Sequence, residues 1–266
     1  MGMQGSWQRE IKCQKNKMTG TSRIVIDIRN KSFPAKHGLA GHVAIQNLRI
    51  ELGTGEFACL VGPSGCGKTT LLNLIAGLDP HFEGSIKADE AGGMLRIGYM
   101  FQNPRLLPWR TVRENIDLAL PDGQNGSAVD HLLDVMGLAQ SQGQYPERLS
   151  LGMSRRVALV RAFAIQPTLL LMDEPFVSLD APTARRVRQL LIRVWQERPH
   201  TVLFVTHDLR EAITLADRLL FLSAPPATLL HEVVVDIPRC AREDESEVEA
   251  FRQRLVTGHP EISELL

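Results

Sequence analysis

No apolar run in the sequence approaches the roughly eighteen residues that a bilayer crossing needs, so no membrane-spanning helix is expected. Residues 1–18, MGMQGSWQREIKCQKNKM, lack the apolar core of a secretory signal. Excess charge of one sign is also missing, since 30 Lys and Arg stand against 30 Asp and Glu for a formal charge of zero. That balance removes the electrostatic argument for a nucleic-acid binder or a polybasic anchor, and no nucleic acid is expected as a partner. The four cysteines, Cys13, Cys59, Cys66 and Cys240, contain no C-x-x-C pair and suggest neither a disulfide framework nor a zinc site. Internal repeats are absent too, and no sustained heptads lie between Gln102 and Ser150, which argues against a long coiled-coil insertion. What these absences leave is a soluble, cytosolic protein. Its hydrophobic content of 44% allows a sizeable core in one large domain or two small ones.

The pattern along the chain is α/β. Residues 1–21 are polar and aperiodic, and are expected to form a disordered lead, with Met18 an alternative start. Short β-type runs follow, RIVIDI, HVAIQNLRIEL and FACLV, separated by Gly and Pro punctuation. After residue 62 helical stretches such as KTTLLNLIAGL alternate with the compact runs RIGYMFQ, TLLLMDE, TVLFVTHD and RLLFLSA. These runs are nearly all apolar, as strands buried on both faces of a parallel sheet are. Between Pro104 and Ser150 no such strand occurs; TVRENIDLALP and GSAVDHLLDVMGLAQ have helical spacing, and an inserted helical subdomain is expected at about residues 103–155. The segment DAPTARRVRQLLIRVWQER predicts a helix capped by Asp180, with Pro182 in its first turn and Val187, Leu190, Leu191, Val194 and Trp195 on one face. The main domain is expected to span residues 22–240, and the charged residues 241–266 a peripheral helix or tail.

The stretch LVGPSGCGKTT places Gly62, Gly67, Lys68 and Thr69 in G-x-x-x-x-G-K-[ST] spacing, after a strand and at the start of a helix. In that context the glycines let successive N–H groups curl round phosphates and the helix start adds positive potential. Lys68 would reach the β and γ phosphates, and the Thr69 hydroxyl would bind Mg²⁺. Cys66 lies in this loop, either as a reactive thiol near a helix start or as a small filler. TLLLMDEP then runs an apolar strand into Asp173, placed to hold Mg²⁺, and Glu174, placed to orient or deprotonate water. FVTHD sets His207 at another strand end, where an imidazole can reach the γ-phosphate, and YMFQN sets Gln102, able to touch both metal and water.

The ordered set of phosphate loop, strand-end Gln, LSLGM, LLLMDEP, SLD and THD resembles the ATP-binding cassette ATPases over roughly residues 22–240. FQNPRLLPWRTVRENI and VTHDLREAITLADRLLFLSAPPATL look like the ATPase subunit of nitrate, sulfonate and taurine importers. The resemblance implies a P-loop NTPase parallel-sheet core with an N-terminal antiparallel β subdomain and the helical insertion. ATP and Mg²⁺ would be bound by the Walker A residues Gly62, Pro63, Ser64, Gly65, Cys66, Gly67, Lys68, Thr69 and Thr70, by the Walker B Asp173, and by Gln102 of the Q-loop. It further implies Glu174 and His207 as catalytic residues together with Lys68 and Gln102, a D-loop at Ser178, Leu179 and Asp180, and Phe33 as the aromatic that stacks on adenine.

In YPERLSLGMSRRVALVRA the resemblance implies a signature motif that closes on the γ-phosphate bound to a second cassette, so that Ser150 and Gly152 offer a bare hydroxyl and backbone to another chain's ATP. Relatives usually have two glycines after the serine; here Leu151 precedes Gly152, and Ser154 and Arg155 replace the usual Arg-Gln. The function implied is ATP hydrolysis in a head-to-tail cassette dimer, most simply a homodimer, coupled to a membrane permease pair and indirectly to a solute-binding protein. The protein would then sit at the inner face of the cell membrane, with Leu106, Leu107 and Trp109 of RLLPW either docking the permease or packing within the helical subdomain. A non-transport cassette ATPase and a nucleotide-responsive binding module of low turnover remain as alternatives.

Overall fold

The computed structural model describes residues 23–35, 40–88, 95–121 and 126–265. The expected lead at residues 1–21 lies outside them. In chain order the strands are β1 (Arg23–Phe33), β2 (His42–Gly53), β3 (Phe57–Val61), β4 (Glu83–Ala88), β5 (Ile97–Met100), β6 (Leu169–Asp173), β7 (Thr201–Val205), β8 (Arg218–Leu222) and β9 (Leu229–Val234). The helices are α1 (Lys68–Ile75), α2 (Val112–Asp117), α3 (Ser127–Val135), α4 (Leu151–Ala164), α5 (Ala181–Glu197), α6 (Leu209–Leu215), α7 (Glu245–Gly258) and α8 (Pro260–Glu264).

Two sheets carry the architecture. An antiparallel sheet in the order β2-β1-β4 takes up the first strands, and a second sheet runs β5-β6-β7-β3-β8-β9. In the second sheet β5, β6, β7, β3 and β8 are parallel, and only the edge strand β9 is antiparallel, against β8. Every residue of β3, β6 and β7 is buried, which is why these strands carry apolar residues at consecutive positions. Successive side chains alternate between two cores. Leu170 and Met172 join a cluster with α4, α5 and α7, while Leu169 and Leu171 join one with α1 and the antiparallel sheet.

The helices follow local chemistry. Thr111 and Glu114 form a reciprocal capping box at α2. Asp180 caps α5 through a 3.0 Å bond from Thr183 N, and the apolar face of α5 buries Val187, Leu191, Val194 and Trp195, with Leu190 packed at its margin. Trp195 is wholly enclosed and its indole N–H donates to His200 O at 2.7 Å; its replacement by Ala would cost about 3–5 kcal/mol in cavity and transfer terms. In the charged C-terminal segment, α7 and α8 send Val248, Phe251, Leu255 and Ile262 into the first cluster.

Candidate functional site

The carboxyl ends of β6, β7 and β3 lie side by side, and there the chain leaves the sheet in different directions, which opens a crevice in α/β folds. After β3 the chain turns through Gly62–Gly67 into α1. Gly67 sits at the N-cap in the left-handed region, with φ 105°, and no side chain caps the helix. A Cβ at Gly67 would also come within 3.3 Å of the Ala44 carbonyl, so the antiparallel sheet abuts this loop. Lys68 is buried and folds back over the loop: its Nζ donates to Gly62 O at 2.6 Å and Pro63 O at 2.9 Å, and lies 3.8 Å from Cys66 Sγ. Cys66 is fully buried in the second core cluster, as a small filler is. Phe33 pairs with His42, two residues before Ala44 on β2; its ring stacks on His42 with centroids 5.3 Å apart and takes Lys31 Nζ at 4.6 Å.

Asp173 ends β6 as a buried carboxylate hydrogen-bonded to the Thr69 side chain. Burial pushes its pKa up; the Thr69 bond opposes this, the Glu174 charge adds to it, and Lys68 opposes it. A carboxylate beside a hydroxyl offers hard oxygen donors, of the type that suit Mg²⁺. Beside it, Gln102 Nε2 donates to Glu174 Oε2 at 3.0 Å, and His207 Nδ1 lies 3.4 Å from Glu174 Oε1. Three residues far apart in the chain therefore meet at one carboxylate.

The turn that presents His207 is fixed by neighbours that the motif reading passed over. Thr206 Oγ1 donates to the buried Glu211 Oε2 at 2.6 Å and accepts from Asp208 N at 3.1 Å, and Asp208 Oδ1 accepts from the amides of Arg210 and Glu211. Arg188 Nη1 completes the group at 3.0 Å from Glu211. The sequence signal was present in THDLRE, where an Asp three residues before a Glu is a helix-start pattern.

The residues around Ser150 stand apart. Among the described residues, no hydrogen bond or ion pair joins Ser150 to the Gly62–Thr70 loop or to the Gln102, Glu174 and His207 group. Ser150 is exposed and caps its own helix, its Oγ accepting from Met153 N at 3.2 Å. Leu151 is 44% exposed. Gly152 has a reason inside its own chain: it is buried, and a Cβ there would approach Thr183 Cγ2 to 2.7 Å. Its missing side chain thus makes room for the start of α5. In the RLLPW stretch, Leu106 packs against the core while Trp109 is 68% exposed.

The helix starts also differ electrostatically. Acidic residues occupy the cap or first turn of α2, α3, α5, α6, α7 and α8. Among the described α-helices only α1 and α4 have no acidic residue of their own at the cap or in the first turn; at α1 the Asp173 carboxylate approaches from β6 through Thr69, and at α4 no acid follows the cap.

Known proteins match this arrangement at several levels. The profile of the ABC transporter family matches residues 45–177. The aliphatic sulfonates import ATP-binding protein SsuB of Bacillus subtilis is 37% identical over 248 residues, which cover 91% of this chain and 96% of that protein. The nitrate import ATP-binding protein NrtD of Synechococcus elongatus is 40% identical over 229 residues, 82% of each chain. Among solved structures, a dimeric bacterial ABC transporter cassette superposes with a TM-score of 0.68 at 28% identity, covering 80% of this chain and 99% of that one. A dimeric post-hydrolysis state of the same cassette, bound to ADP and Pi, gives a TM-score of 0.69 at 28% identity over 81% and 99%.

Proposed function

The chain belongs to the ABC transporter family, and from that premise we propose that it is the ATP-hydrolysing subunit of an importer, working as one of two identical cassettes that close head to tail on ATP. The observation that carries this reading is the pair of helix starts at α1 and α4, the two described α-helices with no acidic residue of their own at the cap or in the first turn. Among the described residues they share no polar contact. A site assembled from α1 of one copy and α4 of the other uses both.

In this reading the amides of Gly62–Thr70 and the Lys68 ammonium hold the triphosphate, exchanging the loop carbonyls now bonded to Lys68 for phosphate oxygens. Phe33, at the end of the antiparallel sheet next to the loop, supplies the ring for adenine. Thr69, Asp173 and Gln102 would hold Mg²⁺, which when bound supplies neutralisation of phosphate charge. Glu174 accepts a proton from, or orients, the attacking water, while His207 and Gln102 fix that carboxylate from either side. Ser150 closes from the partner copy, its oxygen accepting from its own helix and its hydroxyl hydrogen left to donate to the γ-phosphate. Positioning and charge neutralisation supply most of the rate.

The cassette occupies residues 22–240, with residues 103–155 as its helical subdomain and 241–266 as an appended segment. No described helix is long and apolar enough to cross a membrane, so the transported solute passes through a separate permease pair, to which the exposed Trp109 offers an apolar contact. The protein then lies on the cytoplasmic face of the membrane. The names of the relatives support a small anion such as nitrate or a sulfonate, and a solute-binding protein would deliver it.

Specific ATPase activity measured against protein concentration tests the reading. Activity per molecule is expected to rise with concentration and to collapse in Glu174→Gln. A dilute copy that hydrolyses as fast per molecule as a concentrated solution overturns the shared site, and undiminished hydrolysis in Glu174→Gln overturns the assignment of Glu174.

A further inference from the structure

The helix that starts at Ser150 also grips the turn that follows Glu174. Arg155, one turn into α4, is buried, and its guanidinium is directed at main-chain carbonyls. Nη1 donates to Glu174 O at 3.2 Å and to Pro175 O at 2.8 Å, and Nη2 to Val177 O at 2.7 Å. Its Nε is the buried side-chain atom that has no partner among the described residues. A guanidinium stays charged even in a site that disfavours charge, so these carbonyls face a fixed cation.

The turn so held is one that residues with a side chain adopt reluctantly. Glu174 has φ 44° and Ser178 φ 62°, both in the left-handed region, and no glycine lies between Glu174 and Asp180. Contacts must therefore maintain it. Glu174 is fixed at its amide, which donates to Val205 O at 3.0 Å, at its carbonyl by Arg155, and at its carboxylate by Gln102 and His207.

We propose that Arg155 is a positioning residue for hydrolysis: by clamping the carbonyls of Glu174, Pro175 and Val177 it sets the direction of the Glu174 carboxylate and ties that direction to the helix that carries Ser150. The proposal rests on the reading that Glu174 orients the attacking water. A glutamine, the residue usual at this place in the family, carries a single amide nitrogen on a shorter stem and cannot span three carbonyls. In this chain the approach of Ser150 to a phosphate and the aim of Glu174 are mechanically joined.

Single-turnover phosphate release from the full chain tests this in a double-mutant cycle of Arg155→Met with Glu174→Gln. Arg155→Met is expected to lower kcat about tenfold while KM and the affinity for a fluorescent ATP analogue shift less than about twofold. Arg155→Lys, which keeps the charge and part of the donor set, is expected to fall between parent and Arg155→Met. In the Glu174→Gln background Arg155→Met is expected to change the residual rate by less than about twofold, because the group it positions is gone. The same fold loss in both backgrounds, or a loss of ATP affinity that matches the loss of rate, overturns the proposal by showing that Arg155 serves the fold at large. If Arg155→Met does not fold, Arg155→Lys is put through the same cycle with the same two criteria. A Glu174→Gln variant that alone hydrolyses at the parental rate overturns the reading of Glu174 and this proposal with it, and is recognised without any change at Arg155.

Discussion

The starts of α1 and α4 both lack an acid, yet they are built in opposite ways. α1 opens on a left-handed glycine with no side-chain cap, so among the described residues no side chain satisfies its first N–H groups. α4 opens on Ser150, which caps Met153 N, and continues with an exposed leucine and a glycine pressed against Thr183. One start is a cradle that a single chain leaves open. The other has one amide, Met153 N, capped within its own fold, and offers the Ser150 hydroxyl hydrogen and the dipole of its helix. On the proposed reading, the contrast teaches that anion binding at α1 would be local, whereas at α4 it would depend on a second body being brought up to the surface.

If that contrast holds, changes at α1 should act on chemistry and changes at α4 partly on stability. The largest effect is expected from Lys68→Ala, which removes the only charged donor folded into the loop. A loss of about two to three orders of magnitude in kcat/KM for ATP is expected from steady-state phosphate release. Retention of activity within about tenfold would mean that loop amides alone carry the phosphate.

Much of this was legible in the sequence, and the parts that were not have definite physical causes. Consecutive apolar residues in β6 and β7 announce burial on both faces, and the meeting of Gln102, Glu174 and His207 follows once those strands are parallel neighbours. The left-handed turn at Glu174 carries no glycine to mark it, so its existence and the Arg155 clamp could only be found in three dimensions. The edge strand β9 alternates half-buried and exposed positions in a short run, LLHEVV, that resembles a loop more than a core strand. In the charged C-terminal stretch, Val248, Phe251 and Leu255 recur at helical spacing among acids and arginines, a pattern that composition hides and periodicity reveals. Gly152 shows a contact that the sequence does not announce, since the absence of its side chain also makes room for Thr183.

That packing gives the next prediction. Gly152→Ala would ordinarily favour a helix, but its Cβ meets the stiff, β-branched Thr183 at 2.7 Å. A net destabilisation of about 1–2 kcal/mol is expected, seen as a fall in Tm of a few degrees. Adding Thr183→Ser removes the opposing methyl and should restore the parental Tm; no rescue would mean that the cost lies elsewhere than in this contact. Somewhat smaller is the expected effect of Ser150→Ala on stability, about 1 kcal/mol for the lost cap at Met153 N. If the hydroxyl also donates to a partner's phosphate, the ATPase rate of Ser150→Ala falls more in concentrated than in dilute protein, because only dimers use that donor. An equal fractional loss at all concentrations would leave it a cap and nothing more.

Leu151→Gly is expected to have the smallest effect and is the most informative about the difference between the two helix starts. The side chain is 44% exposed and lies at the first position of α4, between the capping serine and the packed glycine. Glycine there costs up to about 1 kcal/mol of helix propensity, less than the cap contributes once fraying of a first turn is allowed for. What it removes is the Cβ that narrows the backbone beside Ser150 and the bulk that a phosphate of the partner site would meet. ATPase activity is therefore expected to stay level or rise. A large loss instead would make the leucine an attractive contact across the seam between copies, and α4 would then bind its partner by apolar burial as well as by its own hydroxyl and the helix dipole it has in common with α1.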